Sequence, residues 1–215
     1  MGNLDKLEKI TNQLKFISYE KANNFWKSNL KSGCFDISLG TVSCKNEPKA
    51  EDPKEVAEDE NEAKFDNTKE AEKDAEILVD AADFDLEQRE LGKLAQSRGV
   101  SAAVKDLGKM MEKHHNEAFT QLSALAKEKQ ISIPTAITED GQKEYDRLSK
   151  VDVKNFDKEY LDRVYKEHHD AIDDFTQDAQ ATKSVEIKAY LESMISTLKN
   201  HHDEVEKLQS TLVKK

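Results

Sequence analysis

The sequence predicts an all-α fold, a four-helix bundle with an additional short helix and a separate N-terminal segment. Only seven glycines and three prolines occur among 215 residues, so a fold of many short strands would lack its turn residues. From Asp66 onward the apolar residues recur with the 3.6-residue period of a helix. Charged and apolar residues each make up 36% of the chain, which suits long helices that each bury a single stripe.

Capping residues define the ends of the first two long helices. The first is predicted from about Asn67 to Arg98, and Gly99 after it is suited to a left-handed cap. The second begins after Ser101, a good N-cap. It ends before the extended segment ISIPTAI, because Pro134 cannot continue a helix.

The remaining helices are predicted in the same way. A short helix is expected over Glu139–Lys150 after Thr138, and a third long helix over about Phe156–Ala179. Ser184 caps the last helix, whose apolar residues alternate at spacings of four and three, the seam of bundle packing. Four such stripes can be buried only against one another. The longer connection between the second and third helices is compatible with the crossover of ferritin-like folds.

Charge divides the chain into three predicted regions. Residues 45–76 hold thirteen acidic residues against six lysines. Segment 45–65 is predicted to be a disordered acidic tether, because it has too few apolar side chains to offset its ordering entropy. The alternative is that its second half frays into the next helix. Residues 66–215 are predicted to form the bundle.

Residues 1–44 resemble an extended bacterial lipoprotein signal. A basic start, a moderately apolar stretch and the small residues of SGCFDISLGTVSC lead to Cys44, which is predicted to be lipidated. This predicts a periplasmic or outer-membrane location in the cell envelope, with a lipid anchor and no transmembrane helix. Asp36 interrupts the apolar region, which leaves a cytoplasmic alternative. In that alternative the segment is an amphipathic arm with near-helical spacing of Leu4, Leu7, Ile10, Leu14 and Ile17.

The overall charge excludes one class of partner. With 33 basic and 44 acidic residues the net charge is −11, so the chain has no basic footprint for nucleic acid. Its two cysteines, Cys34 and Cys44, are too few for a disulfide framework or a thiolate zinc site. The sequence has no glycine-rich phosphate loop and no nucleophile elbow. A protein partner or a second copy of the chain stays open.

All six histidines occur as doublets, each near the middle of a different long helix. The doublets are His114-His115, His168-His169 and His201-His202. At least one imidazole of each lies on the apolar stripe, so packing of the helices brings His115, His168 and His201 towards one level of the core. Imidazole is a common neutral ligand of transition metals. The sequence therefore predicts a metal ion, zinc or iron, or a small cofactor between the helices.

Carboxylates near the histidines are further candidate ligands. The first helix offers Glu87 and Glu90 at the corresponding turn, and Glu112 shares a helix face with His115 in a Glu-x-x-His spacing. Only one such motif is present, whereas a di-iron carboxylate centre needs two, so a ferroxidase is disfavoured and ligation without turnover is expected. The alternative is a non-catalytic envelope or stress-response interaction module. Its histidines would be structural or pH-responsive and bonded to Tyr160, a carboxylate or a buried water.

Several motifs in the bundle resemble those of a known bacterial family. They include ELGKLA, MMEKHH, FDKEYLDRVYKEHH and STLKNHH, within a span from about Asp74 to Leu208. In this order they resemble the domain-of-unknown-function family 4142, whose members are grouped with ferritin-like bundles and often described as outer-membrane proteins. The resemblance implies a ferritin-like bundle exported to the cell envelope, with no established activity.

Carried onto this chain, the resemblance assigns site residues. Its recurring histidines match His115, His168 and His201, and its tyrosine matches Tyr160, which we therefore expect to bind the cofactor. The family's glutamate would fall at Gln88, where this chain departs from the pattern. Glu87 and Glu90 flank that position.

Overall fold

The computed structural model describes residues 51–212, and every regular element within them is an α-helix. In chain order these are α1 (Pro53–Phe65), α2 (Lys69–Arg98), α3 (Ala102–Lys129), α4 (Glu139–Ser149), α5 (Val153–Ala181) and α6 (Val185–Leu212). The predicted all-helical class, with four long helices and a short one before the third, is confirmed. The predictions for residues 1–44, including lipidation of Cys44, lie outside the described residues.

The four long helices form a bundle of two closely packed pairs. α2 packs along α3 and α5 packs along α6, and a short connection joins the members of each pair. α3 also contacts α6, and α2 contacts α5, so α3 and α5 lie at diagonal corners of the bundle. The long connection that contains α4 therefore joins diagonal helices, as the predicted crossover requires.

Two glycines allow α2 and α3 to approach closely. A Cβ at Gly92 would lie 2.7 Å from the carbonyl oxygen of Gly108, and a Cβ at Gly108 would lie 2.6 Å from that of Gly92. Both distances are shorter than a van der Waals contact, so a side chain at either position would push the two backbones apart. This contact fixes the register of α2 against α3.

Caps begin and end the helices, with one departure from expectation. Ser101 begins α3 as predicted, because its Oγ accepts a hydrogen bond from the N–H of Val104 at 3.2 Å. The left-handed cap predicted at Gly99 is wrong: Gly99 has φ −52° and ψ 138°, and its N–H still bonds to the carbonyl of Ala95 as the chain turns into the next cap. The left-handed residue is Gln130 after α3, with φ 59°.

The acidic segment predicted to be a disordered tether is helical from Pro53 to Phe65. Asp52 caps this helix by accepting a hydrogen bond from the N–H of Lys54 at 2.8 Å, and proline suits the first turn. Asn61 is buried and exchanges two hydrogen bonds with the backbone of Ser132, at 2.7 and 2.8 Å. Polar contacts with the α3–α5 connection thus order a segment that has few apolar residues. The compact part of the chain begins before residue 66.

The core consists of two apolar clusters with a layer of polar residues between them. One cluster contains Leu78, Leu122, Phe175 and Leu191, and the other contains Leu91, Met111, Phe156 and Val205. Between them each long helix places polar side chains in the core, all at most 1% exposed: Asp85 and Gln88 on α2, His115 on α3, His168 on α5 and His201 on α6. We refer to these five residues as the polar layer.

Candidate metal centre

Three imidazoles converge in the polar layer. One ring nitrogen from each of His115, His168 and His201 lies within 4.8 Å of the other two. Nε2 of His168 is 3.4 Å from Nε2 of His115 and 3.2 Å from Nδ1 of His201. A tetrahedral ion with metal–nitrogen bonds of about 2.0–2.1 Å separates its ligand nitrogens by about 3.3 Å. The two short spacings match this value, and the third pair of nitrogens lies within 4.8 Å.

Asp85 on α2 orients the first of these rings. Its Oδ1 is 2.8 Å from Nδ1 of His115, and its Oδ2 accepts a hydrogen bond from the hydroxyl of Tyr190 at 3.2 Å. A carboxylate that receives the outer N–H of a ligating histidine fixes the tautomer and raises the basicity of the ring. Nε2 is then the nitrogen of His115 that faces the other imidazoles.

The other two rings are also held by their outer nitrogens. Nδ1 of His168 donates to the carbonyl oxygen of Val164 at 3.0 Å. Nε2 of His201 is 2.8 Å from Nδ1 of His114, whose ring stacks on that of His201 with centroids 5.1 Å apart. The second nitrogen of each ring, Nε2 of His168 and Nδ1 of His201, therefore faces the centre of the cluster and is available to bind an ion.

Burial keeps the three imidazoles in their uncharged forms. It lowers the pKa of His115 and His201 to about 3, and that of His168 well below its ordinary value, and neighbouring rings add to the effect. Burial also raises the pKa of Asp85 well above its usual range, whereas the hydrogen bond from Tyr190 and the charge of Arg89 lower it and favour the carboxylate form. Neutral imidazole is the form that ligates metal ions, so the three rings are held in the binding state.

Hydrogen bonds within the chain leave one contact of the cluster unsatisfied. A neutral imidazole has one N–H and one lone pair. His168 gives its N–H to the carbonyl of Val164, so Nε2 offers one lone pair to the two ring nitrogens that approach it, from His115 and His201. Only one of these contacts can be a well-directed hydrogen bond. A cation between the rings would instead take one lone pair from each.

Glu167, the neighbour of His168, belongs to a separate, partly buried network. It accepts a hydrogen bond from Nε2 of Gln88 at 2.7 Å and pairs with Arg163, which also bonds to Glu87 at 3.1 Å. Burial, reinforced by the charge of Glu87, raises the pKa of Glu167 to about 8. This network links α2 to α5 beside the histidines.

The three predicted glutamates do not join the histidines. Glu87 is bonded to Arg163, and Glu90 accepts hydrogen bonds from two cationic neighbours on its own helix at 3.1 and 2.8 Å. Glu112 accepts one from Nε2 of Gln96 at 2.6 Å, across the α2–α3 contact. Among the described residues, the group of side chains close enough to share an ion contains histidines alone.

Tyr160 also lies apart from the cluster. It precedes His168 by eight residues, about two helical turns, and its ring stacks on that of Phe156 with centroids 6.1 Å apart. Its buried hydroxyl has no hydrogen-bond partner among the described residues, and burial raises its pKa. Tyr160 packs in an apolar cluster, and its binding of a cofactor stays a prediction.

Sequence reasoning misses Asp85 and His114 as partners of the ligands. Asp85 has a readable signal, since it lies on a line with Ala81, Gln88 and Gly92 at spacings of four, three and four. The role of His114 has no such signal, because it depends on which ring nitrogen faces its neighbour.

The fold and the site together define an all-helical bundle with a three-histidine cluster in its interior. Residues 59–208 match the family described as Domain of unknown function (DUF4142), and the chain belongs to this family. No curated protein and no solved structure matches the chain. In the described part of the chain, no helix has both the length and the apolar character needed to cross a membrane.

Proposed function

We propose that the protein binds one transition-metal ion inside the bundle, through Nε2 of His115, Nε2 of His168 and Nδ1 of His201. The observation that supports this most directly is the convergence of three ring nitrogens whose outer partners are already supplied by other groups. Three imidazoles suit zinc, and also iron, copper and nickel. The proposed role is ligation, without turnover.

The distribution of apolar surface favours ligation over a docking role. Among the described residues, the exposed large apolar side chains are Val56, Val100, Val153 and Val185. Val100 lies in the connection after α2, and Val153 and Val185 are the first residues of their helices. A helix that docks a partner would present a continuous apolar stripe, and these four valines form none.

Metal titration of the full chain without an affinity tag tests the proposal. Calorimetry with Zn²⁺ should give one bound ion per chain. Co²⁺ in its place should give the visible absorption of a tetrahedral centre, because the spacings from His168 to the other two nitrogens fit that geometry. A parent chain that binds neither ion would refute the proposal.

Substitutions then assign the ligands. Each ligand is replaced in turn, in His115→Gln, His168→Gln and His201→Gln. Loss of a ligand's outer partner weakens metal binding by about 10–100-fold, and loss of the ligand itself should weaken Zn²⁺ binding by more than that. His169→Ala is the matched control, because His169 follows a ligand directly but is exposed. Circular dichroism of each metal-free variant checks that the helices are retained. If His169→Ala lowers the Zn²⁺ affinity equally, the ion binds at the surface and not in the cluster.

We also propose that the chain is held at the cell envelope by lipidation of Cys44. The signal-like segment before Cys44 and the acidic residues after it support this proposal. Mass spectrometry of the protein from its native host should find an N-terminus at a lipidated Cys44. An intact N-terminus with an unmodified Cys44 would favour the cytoplasmic alternative.

A further inference from the structure

The three-histidine cluster is closed to solvent, so an ion that binds there needs a route through the wall of the bundle. His115, His168 and His201 are at most 1% exposed. Two surface grooves approach them from different sides. One lies between α3 and α6, and the other lies between α2 and α5.

The groove between α3 and α6 ends directly on the cluster. It encloses about 300 Å³, and both His114 and the ligand His201 line it. Among its described lining residues Glu117 carries the only formal charge, and the thioethers of Met110 and Met194 lie along it. Its lining thus offers a cation imidazole, carboxylate and thioether groups, and it opposes the cation with no lysine or arginine.

The groove between α2 and α5 is larger, at about 560 Å³, but it does not end on a candidate ligand. Three basic side chains line it together with five carboxylates, so its charge alone does not exclude a cation. Phe84 lies at its inner side, with its ring centroid 5.3 Å from that of His115. None of the three candidate ligands lines this groove.

We propose that the metal ion reaches the cluster through the groove between α3 and α6, which we call the α3–α6 port, and that His114 at its inner end is a positioning residue for His201. This inference rests on the proposed metal binding. Nδ1 of His114 meets Nε2 of His201 at 2.8 Å, so His114 holds the ring that stands between the port and the interior. The port governs the rates of binding, and His114 governs the affinity.

Filling the port should slow the exchange of metal without changing the equilibrium. Thr197 lines the port one turn before His201, and Thr197→Trp places a large side chain over it. Stopped-flow loading with Zn²⁺, and extraction by a chromophoric chelator, should both slow by about tenfold or more, because binding then requires the bundle to open. The dissociation constant should stay at the parental value.

Gln177→Trp is the matched control. Gln177 lines the groove between α2 and α5, and the same residue is introduced there. Its loading and extraction rates should equal those of the parent chain. The proposed port would be refuted if Thr197→Trp loads and releases Zn²⁺ at the parental rates, or if Gln177→Trp is the variant that slows them. If Thr197→Trp loses its helical signal in circular dichroism, Ser193→Trp fills the same groove from an exposed position.

His114→Ala tests the positioning role. Freeing the outer nitrogen of His201 should lower Zn²⁺ affinity by about 10–100-fold, mainly through faster dissociation, with loading no slower than in the parent chain. Unchanged affinity would overturn this role. The two levels of inference fail differently: a parent chain that binds no Zn²⁺ refutes the metal centre and the port together, whereas binding with unaltered rates in Thr197→Trp refutes the port alone.

Discussion

Asp85→Asn separates a role in orienting a metal ligand from a purely structural role. Asp85 is buried, with Oδ1 2.8 Å from Nδ1 of His115 and Oδ2 bonded to the hydroxyl of Tyr190 at 3.2 Å. Asparagine keeps the size of the side chain and one oxygen, but it cannot carry a negative charge. The bond to His115 then changes from one that a carboxylate strengthens to one between neutral groups.

The expected effects on metal affinity and on stability have opposite directions. Hydrogen bonds to charged groups contribute about 1.5–3 kcal/mol against about 0.5–1.5 kcal/mol for neutral ones, so the ligand loses about 1–1.5 kcal/mol of support. Loss of an outer partner costs about 10–100-fold in metal affinity, and we expect Zn²⁺ binding by Asp85→Asn to weaken within that range. The metal-free variant should be as stable as the parent chain or more stable, because a buried amide costs less than a buried carboxylate.

Two measurements on the same samples decide the matter. Competition with a chromophoric chelator gives the Zn²⁺ affinity, and thermal unfolding without metal gives the stability. Asp80→Asn is the control, since Asp80 is on the same helix but half-exposed and paired with Lys54 at 2.7 Å. Parental Zn²⁺ affinity together with a destabilised metal-free chain would make Asp85 a structural residue and refute the reasoning.

Three further predictions test the fold around the centre. Gly92→Ala places a methyl group 2.7 Å from the carbonyl oxygen of Gly108 and should lower the free energy of unfolding by about 1–3 kcal/mol in urea titrations. Asp157→Ala removes the acceptor of two backbone N–H groups before α3, at 2.7 and 2.8 Å, and should cost about 2 kcal/mol in the same assay; parental stability would contradict the capping role. Hydrogen bonds from its own backbone N–H and from Lys129 lower the pKa of Glu186 to about 2, so its contribution to stability is present above its ordinary pKa of 4.5 and is lost as the pH falls through about 2. Glu186→Gln should therefore have a lower melting temperature than the parent chain at pH 6 and the same melting temperature near pH 2. Equal melting temperatures at pH 6 would refute this contribution.

The helical fold could be predicted because it depends on local patterns. Caps such as Ser101 and Thr138 act on N–H groups three residues away, so a short stretch of sequence contains the whole interaction. The local sequence does not predict α1, because the order of this helix depends on contacts distant in sequence. Asn61 bonds to the backbone of Ser132, 71 residues further along the chain, and no local pattern reports such a contact.

The histidines and the carboxylates differ in the same way. His168 and His201 continue the apolar spacing of their helices, so the period places them in the core. The sequence predicts Glu87 at the correct level of α2. Two residues turn a helix by about 200°, however, so Glu87 lies on the face opposite Asp85. Partners from other helices decide which nitrogen of each ring faces inward. The spacing of residues within one helix carries no information about those partners.

The polar layer has a physical cost that the proposed metal binding would explain. Its three imidazoles, one carboxylate and one amide occupy core positions where apolar side chains would each contribute about 1.5–3 kcal/mol. In the metal-free chain the lone pair of His168 Nε2 faces two competing ring nitrogens, so the layer does not recover this difference through hydrogen bonds of its own. An ion present at 100 times its dissociation constant would add about 2.7 kcal/mol to the stability of the folded chain. Stability alone would favour apolar residues on all four helices. The proposed ion would account for the layer by joining α3, α5 and α6 through one ligand from each, with Asp85 on α2 as the outer partner of His115.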